Sequence, residues 1–233
     1  MLLSPECCHV GRSVPFSSCS CRMPACAAQP EILMPRANAV TAANRLLAVL
    51  PAKDRSRILA SCDEIELASS KVLHEAGTPQ RHVYFPTTGF ISLVTPLDAC
   101  AGIEVVLVGS EGMVGTSVLL GAAVSPLHHL VHGSGMALRM SAAALRRELE
   151  RAPALRRRLN RYAYVKMQQI AQTAACVRFH VVEARLARWL LMTHDRSHSP
   201  HFHATHEVLA YMLGVRRVGI TKAAASLQRQ SLI

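Results

Sequence analysis

Between Met140 and Ser141 the hydrophobic pattern of the chain changes period, and that change limits the fold more than any other feature. From about Glu64 to Met140 the apolar residues come in short runs (83–85, 90–94, 103–108 and 136–140), separated by glycine, proline and polar residues. Gly77, Gly89, Gly102, Gly109, Gly121 and Gly133 fall 7 to 13 residues apart, with Gly112, Gly115 and Gly135 between them. Runs of that length at that spacing predict short strands in a sandwich or barrel. Within them Ile91, Leu93 and Thr95 share one face, and Val105, Leu107 and Gly109 take alternate positions of another strand. From Ser141 the period is helical and is broken first at Pro153, so a strand-rich part is followed by a helical one.

The helical stretches differ in kind. Residues 44–60 read as a helix pair broken at Pro51. After Pro153, Leu159, Ala163, Lys166, Ile170, Thr173 and Val177 fall at heptad spacing, a seam weakened by its two polar members. Residues 182–192 form a further amphipathic helix holding Leu186, Trp189 and Leu190. Near the end of the sequence Thr205 is placed to cap a short helix with Val208, Leu209 and Met212 on one face. Gly214 breaks that pattern where a tight turn needs a residue without a β-carbon. A second stripe follows in Val218, Ile220, Ala224 and Leu227, with Arg216, Arg217, Thr221 and Lys222 near its start. Two short helices joined by a glycine turn, the second basic at its front, is the layout of a helix-turn-helix DNA reader.

Charge is divided in the same way. Residues 139–233 carry 17 Lys and Arg against 5 Asp and Glu, whereas residues 1–138 carry 9 against 10. The net charge of +11 therefore belongs to the helical part, and a polyanion is the expected partner of that part alone. Half of the 233 residues are apolar, a globular composition long enough for one large domain or two small ones. No apolar run is long enough to predict a membrane span, and the cytoplasm is the expected compartment. The first forty residues have no period and hold Cys7, Cys8, Cys19, Cys21 and Cys26. They read as a disordered extension; an artefactual upstream start before Met34 and a metal or iron–sulfur site at Cys19, Cys21 and Cys26 stay as alternatives. Cys62, Cys100 and Cys176 lie in periodic segments and are expected to be buried, inert thiols.

With AQTAACVRFHVVEARLARWLL and LAYMLGVRRVGITKAAASLQRQSLI following the strand-rich part, the chain resembles the Crp/Fnr family of bacterial transcription regulators. The resemblance covers roughly residues 44–233 and is strongest from Ile170 onward. It implies an α+β fold: a β jelly-roll (cyclic-nucleotide-binding-like) domain, a long dimerisation helix and a C-terminal helix-turn-helix domain. The expected divisions are a disordered extension at 1–40, the β-roll at 41–152, the dimerisation helix at 153–179 and the DNA-binding domain at 180–233. Double-stranded DNA, a second copy of the chain and RNA polymerase are the implied partners.

The family places a base-contacting arginine where Arg217 stands, and its recognition helix would run from about Arg216 to Gln228. An arginine fork suits guanine O6 and N7, a pair that discriminates by about 1–3 kcal/mol. Arg216 and Lys222 are expected at phosphate or base, and Thr205 at phosphate through its backbone N–H. Val218 stands where the family carries an acidic base reader, and Gly219 and Thr221 also depart from its best-known members, so the target sequence does not carry over. Members that bind cyclic AMP have a Gly-Glu segment and a downstream arginine. Here Glu111 is followed by Gly112, and no arginine lies between Arg81 and Arg139. Cyclic AMP binding is therefore not expected, and Glu111 and Gly112, the candidate effector-pocket residues, are expected to mark a turn.

His194, His198, His201, His203 and His206 crowd one stretch and read as a polar linker, with a zinc or nickel site as the alternative. No cofactor is called for; an iron–sulfur cluster, or a haem near His128, His129 and His132, stays open. The sequence ends before the two-stranded wing that the resemblance implies. The alternative function is thus an effector-sensing or partner-binding protein with weakened DNA binding. The chain shows no nucleophile–base signature, HExxH, P-loop or dinucleotide fingerprint, and no enzymatic activity is expected.

Overall fold

The computed structural model describes residues 44–98, 101–197 and 202–233. The cysteine-rich segment at 1–40, Cys100, His198 and His201 lie outside the described residues. Two short helices come first, α1 (Arg45–Ala48) and α2 (Ala52–Ala60). Asn44 caps α1 by accepting from Leu46 N at 3.1 Å, while its amide donates to Pro86 O and Gly112 O at 2.9 and 2.8 Å. Pro51 stands at the start of α2, where its missing N–H costs nothing.

Seven strands follow among the described residues: β1 (Asp63–Leu67), β2 (Val72–His74), β3 (His82–Pro86), β4 (Phe90–Asp98), β5 (Ala101–Val108), β6 (His128–Gly133) and β7 (Gly135–Ser141). They form two antiparallel sheets, ordered β1-β7-β3 and β2-β6-β4-β5. The sheets face each other across Leu67, Tyr84 and Ala137 on one side and Ile91, Leu93, Val106, Val108 and Val131 on the other. The short helix α3 (Thr116–Leu119) lies between β5 and β6.

The outer face of the first sheet is covered by helices. Val83, Phe85 and Met140 pack against Leu46, Leu47 and Ile58, and against Leu145 and Leu149 of α4 (Ala142–Arg151). Leu155, Leu159 and Tyr162 of α5 (Pro153–Phe179) complete this core. Arg57 on α2 binds the buried Glu148 on α4 at 2.7 Å and Asp54 at 2.9 Å, so no charge is left alone there.

The outer face of the second sheet is covered as well, which the alternation of β4 did not foretell. Phe90, Ser92 and Val94 are as buried as Ile91 and Leu93. The cover comes from α6 (Val182–Ser197) and α7 (His206–Leu213), which with α8 (Arg217–Arg229) form the third core. In it Val94 and Leu130 of the roll join Leu186, Trp189, Leu209, Met212, Leu213, Ile220 and Leu227. Gly102 on β5 allows this approach: a β-carbon there would lie 2.8 Å from the Tyr211 hydroxyl and from Val94.

The 27-residue helix α5 corrects the seam read from the sequence. Leu155, Leu159, Tyr162, Lys166 and Cys176 are buried, with Gln169 and Thr173 half-buried between them, and this stripe faces the chain's own roll. The outward apolar stripe is Ala163, Met167, Ile170, Ala174 and Val177, with Met167 64% exposed. Both stripes follow heptad spacing, offset by one residue in most turns. The roll had to claim one of them, and it claimed the one bearing the larger residues near Pro153.

Candidate nucleic-acid interface

The turn between α7 and α8 is built as its residues require. Thr205 has extended backbone, and its Oγ1 accepts from Val208 N at 3.3 Å, as the capping pattern predicts. Gly214 ends α7 in the left-handed region at φ 60°, ψ 45°, and its N–H closes onto Tyr211 O at 3.2 Å. Arg185 Nη2 donates to Leu213 O, setting a cation at the negative end of α7 and pinning it to α6.

α8 then begins at Arg217 with Arg216 as its extended N-cap, one residue later than the sequence suggested. Among the described residues no side chain caps its first turn; Gly219 N bonds Arg216 O at 2.9 Å, and the N–H groups ahead of it face outward for an anion. Ile220, Ala223, Ala224 and Leu227 hold one face in the third core. Arg216, Arg217, Val218, Thr221 and Lys222 are all exposed on the opposite side. The structure therefore brings four expected residues of the reading face, Arg216, Arg217, Thr221 and Lys222, to one surface, with Thr205 at the start of the preceding helix. Val218, expected in the buried stripe, is exposed among them instead, because the turn before it sets α8 one residue later. Gly219 stands apart: it is half-buried, and a β-carbon on it would make only ordinary contact with Val182 at 3.9 Å.

Two neighbours were missed in the sequence. Glu207, in the first turn of α7, binds Arg217 Nη1 at 2.9 Å in an exposed pair. His206 Nδ1 lies 3.1 Å from Thr221 Oγ1, and that hydroxyl donates to Arg217 O at 3.2 Å. The contacts of Glu207 and His206 cross from one helix to the next, so no periodicity within a helix announces them. Val218, 59% exposed, adds an apolar side chain to the basic face.

Glu111 and Gly112 lie in a turn of the roll after β5. Glu111 Oε1 binds Arg196 Nε of α6 at 2.8 Å and accepts from Gly109 N at 3.2 Å. Gly112 leaves room for Tyr162, whose hydroxyl would meet any β-carbon there. Nearby, Lys166 reaches from α5 into the roll and donates to Thr116 Oγ1 at 3.1 Å. It is 6% exposed and has no carboxylate partner among the described residues, and burial lowers its pKa to about 8. His129 is buried beside it and stacks on His74 at 4.7 Å; burial, His74 and Lys166 together hold its pKa down to about 2. Lysine burial has no sequence signal, because a lysine at a heptad position reads as solvated. Cys176 is buried at 3% exposed, as expected, whereas Cys62 is only half-buried, with burial driving its thiol up to about 11. Among the described residues no three histidine, cysteine or carboxylate side chains gather to hold a metal, and no helix is long and apolar enough to cross a membrane.

A basic helix held outward by a glycine turn, on a three-helix unit docked to a β-roll, defines a helix-turn-helix protein with an appended sandwich domain. Residues 184–233 match the family model of the Crp-like helix-turn-helix domain. The fold of the chain is that of the Crp/Fnr regulators. The c-di-GMP responsive global regulator CLP of Xanthomonas campestris aligns with a TM-score of 0.63 at 18% identity, over 78% of this chain and 94% of that one. A Crp/Fnr-family regulator from Eubacterium rectale gives 0.65 at 13% identity, over 80% and 87%. A Crp-family regulator from Thermus thermophilus gives 0.58 at 21% identity, over 72% and 86%. No curated protein sequence matches the chain.

Proposed function

We propose that the chain is a sequence-specific DNA-binding transcription regulator that acts as a dimer in the cytoplasm. The observation that carries the reading is α8 itself: one face is locked in the core, and the other presents Arg216, Arg217, Thr221 and Lys222 to solvent. Such a helix enters a major groove with its first turns at base edges. Arg217 is the base reader, Arg216 and Lys222 meet phosphate or base, and Val218 meets a thymine methyl. Thr205 offers its backbone N–H to a phosphate. Glu207 holds the Arg217 fork until a base replaces it.

The outward stripe of α5, from Ala163 to Val177, is the dimer seam, because two readers match a palindromic site. RNA polymerase is the further partner of a bound dimer. Cyclic AMP is not the signal: residues 82–138 hold neither Lys nor Arg, Glu111 is engaged by Arg196, and Tyr162 fills the space at Gly112. A mobility-shift assay with genomic fragments, comparing the chain with Arg217→Ala, tests the reading. Loss of selective shifts in the variant supports it, and equal shifts remove Arg217 from the interface. Calorimetric titration with cyclic AMP at micromolar concentration is expected to show no heat of binding.

A further inference from the structure

The carboxylate of Glu104 sits in the wall between the roll and the reader. It projects from β5, is 8% exposed, and accepts from Ser92 Oγ of β4 at 2.6 Å. From α6, Trp189 Nε1 lies close enough to favour the ionised carboxylate as a donor, although the contact falls short of normal hydrogen-bond geometry and Nε1 makes no other hydrogen bond among the described residues. Arg188 and Arg196 act on it through their fields only. Arg196 is spent on Glu111 Oε1 and Met192 O, and Arg188 lies 3.4 Å from Thr173 Oγ1. A cavity of about 30 Å³ runs beside it, lined also by Gln169, Cys176 and Arg185, enough for one or two waters. Among the described residues, no cation bonds this carboxylate.

We infer that Glu104 is a proton-operated latch: protonated, it holds α6 and α7 against β4 and β5; ionised, it loosens them. The apolar part of the joint is Val94 and Leu130 against Trp189, Leu209, Met212 and Leu213, and an ionised carboxylate inside it is unpaired and poorly hydrated. Burial pushes the Glu104 carboxyl from 4.5 up to about 7, against the opposing pull of Ser92, Trp189, Arg196 and Arg188. The docked state therefore takes up a proton that the undocked state releases. Docking weakens as pH rises from about 4.5, by up to about tenfold per pH step, and the loss is complete above about 7. The effect on DNA rests on the function proposed above: the docked reader is pre-organised and binds more tightly at pH 6 than at pH 8.

Trp189 is the chain's single tryptophan, so its fluorescence reports the latch directly. In the full chain, emission titrated from pH 5 to pH 9 is expected to step as Glu104 ionises beside Trp189 in the docked chain, with a midpoint near 7, and Glu104→Gln to remove the step. Ser92→Ala takes away the donor that favours the ionised form and is expected to raise the midpoint. His132 lies edge-on to Trp189 at 5.2 Å, but burial holds its pKa down to about 4, below this window. A wild-type chain without a step, or an equal step in Glu104→Gln, overturns the latch. If Glu104→Gln fails to fold by circular dichroism, Ser92→Ala decides, and an unmoved midpoint overturns the latch. Mobility shifts at pH 6 and pH 8 separate the two readings. A fluorescence step without DNA binding at either pH sinks the DNA reading and supports the latch, whereas DNA binding without a step does the reverse.

Discussion

Replacing Lys166 by methionine tests how the interior of the roll is balanced. The two side chains are similar in length and volume, so packing changes little. What changes is a buried ammonium whose one bonded partner among the described residues is the Thr116 hydroxyl. Burial lowers the lysine from 10.5 to about 8, which corresponds to roughly 3 kcal/mol against the charged form. Methionine removes that penalty and forfeits one hydrogen bond of about 1 kcal/mol. The net expectation is a gain of about 2 kcal/mol at pH 7, or roughly 4–8 °C in Tm for a chain of this size. The sign with pH follows from linkage. Between pH 8 and 10.5 the unfolded chain holds the proton that the folded chain has lost, so wild-type stability rises across that window. The advantage of Lys166→Met should be largest below pH 8 and fade toward pH 10.5. Scanning calorimetry of both chains at pH 7 and pH 10 measures this. A variant less stable than wild type at pH 7, or an advantage independent of pH, would refute the reasoning.

Other substitutions probe the reader and the seam. Gly214→Ala forces a β-carbon into left-handed backbone and should cost about 1 kcal/mol, seen as a lower Tm. Thr205→Ala deletes the cap on α7 and should cost about 1 kcal/mol by the same assay. Met167→Glu places a charge on the outward stripe of α5 and should yield a monomer by sedimentation equilibrium without lowering Tm; an unchanged dimer would move the seam elsewhere. Glu207→Gln frees the Arg217 fork and should tighten DNA binding measured by anisotropy, with Tm unchanged because the pair is exposed.

The elements most legible in the sequence were those fixed by local chemistry. The Thr205 cap, the Gly214 turn and three of the four stripe residues, Ile220, Ala224 and Leu227, stand where the residues put them, because each depends on its own backbone or on one helix face, whereas Val218 is exposed. Four strand-length runs lie within β3, β4, β5 and β7, but β1, β2 and β6 had not been singled out. Two of these are poor in the continuous apolar runs used as the signal: β1 reads DEIEL, and β2 has three residues. The docking of α6 and α7 on β4 was hidden because Ser92 and Glu104 look like solvent-facing members of alternating strands. Only the contact with Trp189 and its helix turns that face inward. The line read along α5 mixed two stripes for a related reason: Leu159, Lys166 and Thr173 face the roll while Ala163, Ile170 and Val177 face outward, and the division between them belongs to the roll.

The account rests on α8 carrying its cations into contact with DNA phosphates and bases. Fluorescence anisotropy with a mixed duplex pool across a salt series tests this without knowledge of the target site. The comparison is between the wild-type chain and one with Arg216, Arg217 and Lys222 all changed to glutamine. The account predicts weaker binding and a shallower dependence of log K on log salt, by about 0.9 for each phosphate contact removed. An unchanged slope and affinity in the triple variant would contradict it.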